Sequence, residues 1–289
     1  MNQPQPVLRV PLGRDLLGFT RLLRRLQIRH RVVEEGDSQV LWVLDPARVE
    51  ETRALYERYP DGDPRGEVQA SRGPRGFGLL AQLKASPVSA VFLAITLLLG
   101  LATELGDNLA LIHYLTLQEF RLIDAEHIAF LDLDASLARG EWWRLVTPIF
   151  LHFGLLHLAM NALWYWELGR RVEFRQGGLM LLLLTLVFAA GSNLVQYAWT
   201  GPALFGGLSG VLYGLLGHCW LFQWLAPSPA YRMPRGVVAM MLIWLVICLT
   251  GVFDLLGFGS IANGAHVGGL VLGCLTGLLG GGLARLRQR

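Results

Sequence analysis

A serine and a histidine, two residue types that together can form a nucleophile and a general base, each lie beside a glycine-rich apolar run. Ser209 stands where a polar loop gives way to an apolar run, and glycines recur every four residues at positions 206, 210 and 214. His266 opens a second apolar run with the same glycine spacing. Glycines at this spacing let two helix backbones approach closely, so the hydroxyl and the imidazole can face each other. The pattern predicts a candidate nucleophile and base.

Two more polar residues lie in a third apolar run. His157 and Asn161 are four positions apart, so they share one face of a helix. Polar side chains at membrane depth are costly unless they face the protein interior. We therefore predict that His157, Asn161, Ser209 and His266 converge at one level from three different helices.

Each of these residues also has a simpler interpretation. A serine in a membrane helix most often hydrogen-bonds the carbonyl one turn back. A single intramembrane histidine is more often a helix-helix hydrogen bond or an ion site than a catalytic base. Asn161 can serve as an interhelical hydrogen bond, and the glycine stripes can serve packing alone.

A metal site is a further alternative, because several histidines at one depth can bind zinc. The run that holds His152 and His157 lacks the HExxH pattern of metalloproteases, and no carboxylate lies at that level. We predict neither a metal ligand set nor a cofactor.

Composition predicts an α-helical integral membrane protein. Of the 289 residues 53% are apolar, and the mean hydropathy is +0.43, which exceeds the usual range for a soluble domain of this size. A span needs ~20 apolar residues, and modest tilting or thinning absorbs a shortfall. The net charge of +3 gives no argument for a nucleic-acid partner. We count six spans, at 88–102, 150–166, 179–199, 210–225, 237–252 and 259–283.

The first sixty residues have the pattern of a small α+β domain. A strand at 7–10, a helix at 14–28, a hairpin at 30–44 and a helix that begins at Asp45 and Pro46 give the order β-α-β-β-α. No cleavable signal sequence is expected, because this stretch carries many charges. We predict a cytoplasmic domain at 1–60, a linker rich in proline, glycine and charge at 61–84, and a six-helix domain at 85–289.

Arginine and lysine mark the predicted cytoplasmic side. They precede the first span, occupy the predicted loops 167–178 and 226–236 and end the chain, whereas the short loops 200–208 and 253–258 have none. Both termini are therefore expected in the cytoplasm and Ser209 in the outer half of the membrane. The long segment 103–149 is then external, and its sequence Trp142-Trp143-Arg144 is typical of an interfacial anchor in the outer leaflet.

These motifs, in this order, resemble the rhomboid intramembrane serine proteases. The resemblance rests on Gly207-Leu208-Ser209-Gly210 with Tyr213, on Ala265-His266 with Gly268-Gly269, on His152, His157 and Asn161, and on Trp142-Trp143-Arg144. It covers the region 85–280, which is similar to the bacterial GlpG type with six spans, and extends loosely to the first seventy residues.

The resemblance implies a role for each matching residue. Ser209 would be the nucleophile and His266 the general base, in a dyad without an acidic third member. Tyr213, one turn after Ser209, would orient the imidazole by packing. His157 and Asn161 would join the N–H of Ser209 in an oxyanion hole, with His152 and Gly207 in supporting positions.

The resemblance also implies partners and location. Substrates would be single-span membrane proteins cut near the outer end of their helix, admitted past a gate in the fifth span that holds Trp244 and Phe253. The chain would lie in a bacterial inner membrane among lipids, with its site towards the periplasm and a possible homodimer through the cytoplasmic domain. A transporter is the first alternative, but neither internal repeats nor paired broken helices are visible. A non-catalytic rhomboid-like binding protein is the second, but such a protein would lack Ser209 or His266.

Overall fold

The computed structural model describes residues 4–63, 79–124, 127–256 and 261–287. The chain forms two compact units, Met1–Leu79 and Leu80–Arg289. Each unit has its own hydrophobic core among the described residues.

The first unit is a three-stranded antiparallel sheet with two helices. The sheet has the strand order β1-β3-β2. Its core is built on Phe19, Leu23 and Leu41, none of which is exposed. The elements are β1 (Gln5–Pro11), α1 (Leu17–Arg25), β2 (His30–Glu35), β3 (Ser38–Val43) and α2 (Val49–Arg58). The predicted α+β character and the order β-α-β-β-α are confirmed.

Both helices of this unit begin later than predicted. The backbone N–H of Leu17, the first residue of α1, donates to Oδ1 of Asp15 at 2.7 Å, so the carboxylate satisfies a helix-start N–H that has no intrahelical partner. Asp45 accepts from the N–H of Ala47 at 3.1 Å as expected of a cap. It caps only a 3₁₀ turn, Pro46–Arg48, and α2 follows that turn.

Part of the predicted linker has structure. A Cβ at Gly18 of α1 would lie 1.9 Å from the carbonyl oxygen of Asp61, so this stretch of chain packs directly on the helix. Arg14 also pairs with Asp61 at 2.7 Å. Residues 64–78 lie outside the described residues, and 79–85 are helical. The domain boundaries at 60 and 84 stay predictions.

The described residues of the second unit are helical apart from one short hairpin and the connecting loops. α9 lies at its centre and packs against α7, α8 and α12. The elements are α3 (Leu79–Ala85), α4 (Pro87–Ala102), α5 (Leu109–Leu115), β4 (Phe120–Leu122), β5 (Ile128–Phe130), α6 (Leu133–Ala138), α7 (Leu155–Gln176), α8 (Gly178–Thr200), α9 (Ser209–Leu225), α10 (Arg235–Leu249), α11 (Val252–Leu255) and α12 (Asn263–Leu286).

Two helices of the described residues, α8 and α12, are long and apolar enough to cross a membrane by length and composition alone. α4 and α10 are apolar but shorter, at 16 and 15 residues. α9 has 17 residues, and the 22 residues of α7 include several charges in its second half. The count of six spans therefore stays a prediction.

The second predicted span is displaced along the chain. It was expected at 150–166, but α7 begins at Leu155, because the preceding Gly154 has a φ of 109° that no helix can contain. α7 then continues through the predicted loop 167–178, since Leu168 and Val172 are fully buried on one face. The arginines of that predicted loop lie on the helix itself.

The end of α7 also fixes the start of α4. Glu173 is buried, and its carboxylate accepts hydrogen bonds from the N–H of Val88 at 2.9 Å, the N–H of Ser89 at 2.8 Å and the hydroxyl of Ser89 at 2.6 Å. These donors belong to the first turn of α4, whose N–H groups have no intrahelical acceptor. One carboxylate thus caps α4 and ties it to α7.

Glycine brings the backbones of α9 and α12 into direct contact. A Cβ at Gly269 would lie 1.9 Å from the carbonyl oxygen of Gly210, and one at Gly273 would lie 2.0 Å from that of Gly214. From the first contact to the second, the chain moves four residues forward on both helices, so the two helices run parallel. Their first residues, which include Ser209 and His266, therefore lie at the same end of the unit.

We expect Gly273→Ala to lower the free energy of unfolding by about 1–3 kcal/mol, the usual cost of forcing an extra methyl group into a packed core. The new Cβ has backbone rather than a flexible side chain in its way. Gly282→Ala is the matched control, because it lies on the same helix with nothing within 4 Å of its Cβ position. Equilibrium unfolding in mixed micelles gives the free energy of unfolding of both variants. Equal stability of the two would contradict the close approach of α9 and α12.

The prediction for residues 142–144 is wrong for the arginine. The two tryptophans are 62% and 49% exposed, but Arg144 is only 2% exposed. Its guanidinium donates to the carbonyls of His113 at 2.8 Å and Thr116 at 3.1 Å, and to Glu141 at 2.5 Å. It therefore holds the segment 103–149 together instead of extending from the surface. It also keeps the pKa of the Glu141 carboxyl below its usual value, so the stabilisation from this pair is lost as the pH falls.

Candidate active site

Ser209 is the first residue of α9, and the loop before it is held from two sides. The N–H of Gly207 donates to the carbonyl of Pro148 at 3.0 Å. Gly207 has a φ of 116°, which residues with a side chain rarely adopt, and a Cβ there would lie 2.8 Å from the ring of His157. Glycine at 207 thus lets the loop pass against the imidazole of His157, two residues before the serine.

The structure brings Ser209 and His266 into hydrogen-bond contact. Nε2 of His266, on the first turn of α12, lies 2.7 Å from Oγ of Ser209. His266 is 5% exposed, and Ser209 is partly exposed. Nδ1 of His266 has no hydrogen-bond partner among the described residues. With the proton on Nδ1, Nε2 accepts the hydroxyl proton, which is the arrangement required of a general base.

Packing on Tyr213 orients the imidazole of His266. The centroids of the two rings are 4.9 Å apart and their planes are inclined by 44°. The Tyr213 hydroxyl donates to the carbonyl of Met241 at 3.0 Å, so the ring that supports His266 is itself attached to α10. The rings are in contact, and the role of Tyr213 in catalysis stays a prediction.

Two side chains fix the beginning of α12. Oε1 of Gln196, from α8, accepts from the N–H of Ala265 at 3.1 Å, and Nδ2 of Asn263 donates to the carbonyl of Cys248 at 3.0 Å. The first contact satisfies a backbone donor that the helix cannot satisfy itself, in the residue next to His266. Sequence reasoning missed Gln196. The available signal was a polar residue inside the apolar run 179–199.

We expect Gln196→Leu to lower the free energy of unfolding by about 1–3 kcal/mol, the cost of a buried N–H without an acceptor, and also to lower kcat. Gln223→Leu is the matched control, because Oε1 of Gln223 accepts from the N–H of Ser228 at 2.8 Å at the opposite end of α9. We expect that variant to lose stability without a change in kcat beyond the loss of folded enzyme. Steady-state kinetics on folded enzyme separates the change in kcat from the loss of stability. Equal kcat values for the Gln196→Leu and Gln223→Leu variants would show that Gln196 does not position His266.

His157 and Asn161 lie on the first turns of α7. Nδ2 of Asn161 donates to the carbonyl of His157 at 2.9 Å, which uses one of the two amide hydrogens. Nδ1 of His157 lies 3.4 Å from the N–H of Phe153, and its ring contacts the Gly207 loop as described. The two residues share a helix face as the sequence predicted, and their role in catalysis stays a prediction.

His152 lies before α7, in extended chain rather than in a helix. It is fully buried, and its ring centroid is 5.1 Å from that of His157. Nδ1 lies 3.1 Å from the carbonyl of Phe150, whereas Nε2 has no partner among the described residues. His152 therefore packs against His157, and its supporting role stays a prediction.

Comparison with known proteins identifies the family. Residues 139–282 match the family model of the rhomboid domain, and residues 1–70 match that of the rhomboid N-terminal domain. The chain is 36% identical over 261 residues to the rhomboid protease GlpG of Serratia proteamaculans, with 86% of both chains covered. It is 34% identical over 254 residues to that of Salmonella choleraesuis, with 83% of this chain and 84% of the relative covered.

The chain therefore belongs to the rhomboid family, a class of multi-pass membrane proteins. Within that family it is a serine protease of the GlpG type.

Proposed function

We propose that this protein is an endopeptidase that cuts transmembrane segments of other proteins near the outer face of the membrane, with Ser209 and His266 as a catalytic dyad. The observation that carries the proposal is the 2.7 Å contact between Nε2 of His266 and Oγ of Ser209. It joins residues 57 positions apart in the chain, at the shared end of two helices in backbone contact.

The reaction uses this pair in two steps. Oγ of Ser209 attacks the carbonyl carbon of the scissile peptide while Nε2 of His266 takes the hydroxyl proton and passes it to the leaving amine. Water then hydrolyses the acyl-enzyme ester, with His266 as the base again. The imidazole is held by the ring of Tyr213 rather than by a carboxylate.

The negative charge on the carbonyl oxygen requires hydrogen-bond donors. Ser209 is the first residue of α9, so its N–H has no acceptor within the helix and the helix dipole favours an anion there. We assign the other donors to the ring of His157 and the second amide hydrogen of Asn161. The loss of one such donor typically costs about 10²–10³-fold in rate.

The orientation in the membrane follows from the distribution of charge. The ends of α7 and α12 carry Arg175 and Arg285 in their last turns, and α12 begins next to Ser209. By the positive-inside rule those basic ends face the cytoplasm and the catalytic end faces outward. The proposal is six spans in a bacterial inner membrane, both termini in the cytoplasm and the site towards the periplasm.

Substrates of this enzyme are single-span membrane proteins. A helix hides its carbonyls in hydrogen bonds, so a substrate must unwind near the cut, which glycine and other helix breakers favour. Entry past α10 is supported by its exposed face and by the contact of Trp244 with Phe253, whose ring centroids are 5.3 Å apart. The other partners are membrane lipids and a second copy through the cytoplasmic domain, and no nucleic acid is involved.

Mapping the cut tests this proposal. We expect the reconstituted enzyme to cleave a single-span substrate once, within the outer third of its span, and more efficiently when a glycine pair is placed there. Intact-mass spectrometry of the two products locates the bond, and the same glycine pair in the inner third is the control. A cut in the inner half, or in a soluble segment alone, would contradict the proposed placement of the site.

A further inference from the structure

Three arginines of the first unit line one concave surface, which we call the basic groove. Arg24 comes from the last turn of α1, Arg29 from the chain between α1 and β2, and Arg31 from β2. All three are exposed, and they line a cavity of about 820 Å³. None of the described residues that line this cavity is an aspartate or a glutamate.

The arginines of the basic groove differ from others in the same unit. Elsewhere in the unit, ion pairs with carboxylates are formed by Arg9, Arg14, Arg25, Arg48 and Arg53. The side chains of Arg24, Arg29 and Arg31 make no hydrogen bond or ion pair within the described residues, and outside the groove the same is true of Arg21. Their charges are thus concentrated on one concave surface without compensation.

A structural role accounts for only part of this arrangement. Arg24 lies in the last turn of α1, where a cation interacts favourably with the helix dipole. That reason does not extend to Arg29 and Arg31, which lie beyond the helix. The turn between them and α1 contains Gln27, which has a φ of 57° and also lines the groove. This left-handed residue ends α1, because the N–H of Ile28 after it donates to the carbonyl of Leu23 at 2.9 Å.

The groove also offers apolar contact beside the charges. Val32 and Leu44 line it and are 38% and 41% exposed, although both are hydrophobic. Guanidinium groups bind phosphate through paired N–H donors, and exposed aliphatic side chains suit the non-polar part of a lipid. We propose that the basic groove binds a phosphate group, and that a phospholipid with an anionic headgroup supplies it.

Hydrogen exchange on the full-length protein in maltoside micelles tests this site. The probes are short-chain phosphatidylglycerol, phosphatidylcholine of the same chain length and inorganic phosphate, and the readout is the protection of peptides that span residues 24–32. We expect phosphatidylglycerol to protect these peptides at a concentration where phosphatidylcholine does not. The triple variant carries Arg24→Gln, Arg29→Gln and Arg31→Gln. The concentration of phosphatidylglycerol that gives half of the protection should rise about a hundredfold in this variant, because each basic residue contributes a factor of about five.

The matched control removes three charges from the same unit at ion-paired positions, by Arg9→Gln, Arg48→Gln and Arg53→Gln, and should keep the protection. Protection by inorganic phosphate at similar concentrations would support the site and identify free phosphate as its ligand. Equal protection by phosphatidylcholine, an equal loss of protection in the control variant, or no protection at all would overturn the proposal. The measurement works on Ser209→Ala enzyme, so its failure would leave the proposed proteolysis intact.

Discussion

Ser209→Ala is expected to reduce kcat for cleavage of a transmembrane substrate by about 10⁴-fold or more, because the variant has no oxygen nucleophile. Among the described residues the hydroxyl makes one side-chain hydrogen bond, with Nε2 of His266, so its removal leaves no other polar group without its partner. Thermal unfolding should therefore change little. Quantitative product analysis by mass spectrometry over long incubations sets the upper limit on residual activity.

Ser228→Ala provides the serine control. Ser228 lies in the loop after α9, at the opposite end of that helix from Ser209, and its loss should leave kcat unchanged. If Ser209→Ala kept activity within tenfold of the unaltered enzyme, the nucleophile would have to be another group.

His266→Ala is expected to cost about as much as Ser209→Ala, since the serine is not activated without its base. The double variant should be no slower than either single variant, because the members of a catalytic unit act together and their effects do not add. Rates for both single variants and the double variant provide the comparison. Additive losses would show that the two residues act independently.

His127→Ala is the matched histidine control. His127 lies in the segment 103–149, its side chain is 70% exposed, and its partner is the nearby Asp124 at 2.8 Å. We expect normal kcat in this variant. A large loss there would indicate that histidine removal acts through the fold of this segment and not through the dyad.

The sequence was sufficient to predict that Ser209 and His266 meet, and their catalytic role stays a prediction. Polar residues are rare in apolar runs, so Ser209 and His266 stand out, and the glycines beside them predicted a close helix contact that the structure contains. The same reasoning placed His157 and Asn161 on one face. Long-range contacts between single atoms were not accessible, because periodicity specifies a helix face and not the partner it meets.

Other features depended on contacts that composition does not encode. Arg144 has the sequence context of an interfacial anchor, but it is buried, and it donates to two carbonyls about thirty residues earlier in the chain as well as to the nearby Glu141. α7 continues past its apolar run because Glu173 has partners on α4. His218 shows the same limit, since its ring nitrogens lie 3.1 Å from Thr276 of α12 and 3.1 Å from Gln176 of α7, more than two turns along α9 from Ser209.

The most direct test of the dyad is the rate at which a fluorophosphonate labels the enzyme in micelles, with the modified residue identified by peptide mass spectrometry. A fluorophosphonate reacts with a serine that an adjacent base activates, and it requires no substrate to enter past α10. The account predicts a single phosphonylated residue, Ser209, and a labelling rate that falls at least about 10²-fold in His266→Ala, the usual contribution of a general base. Modification of a different residue, or an unchanged rate at Ser209 without His266, would contradict it.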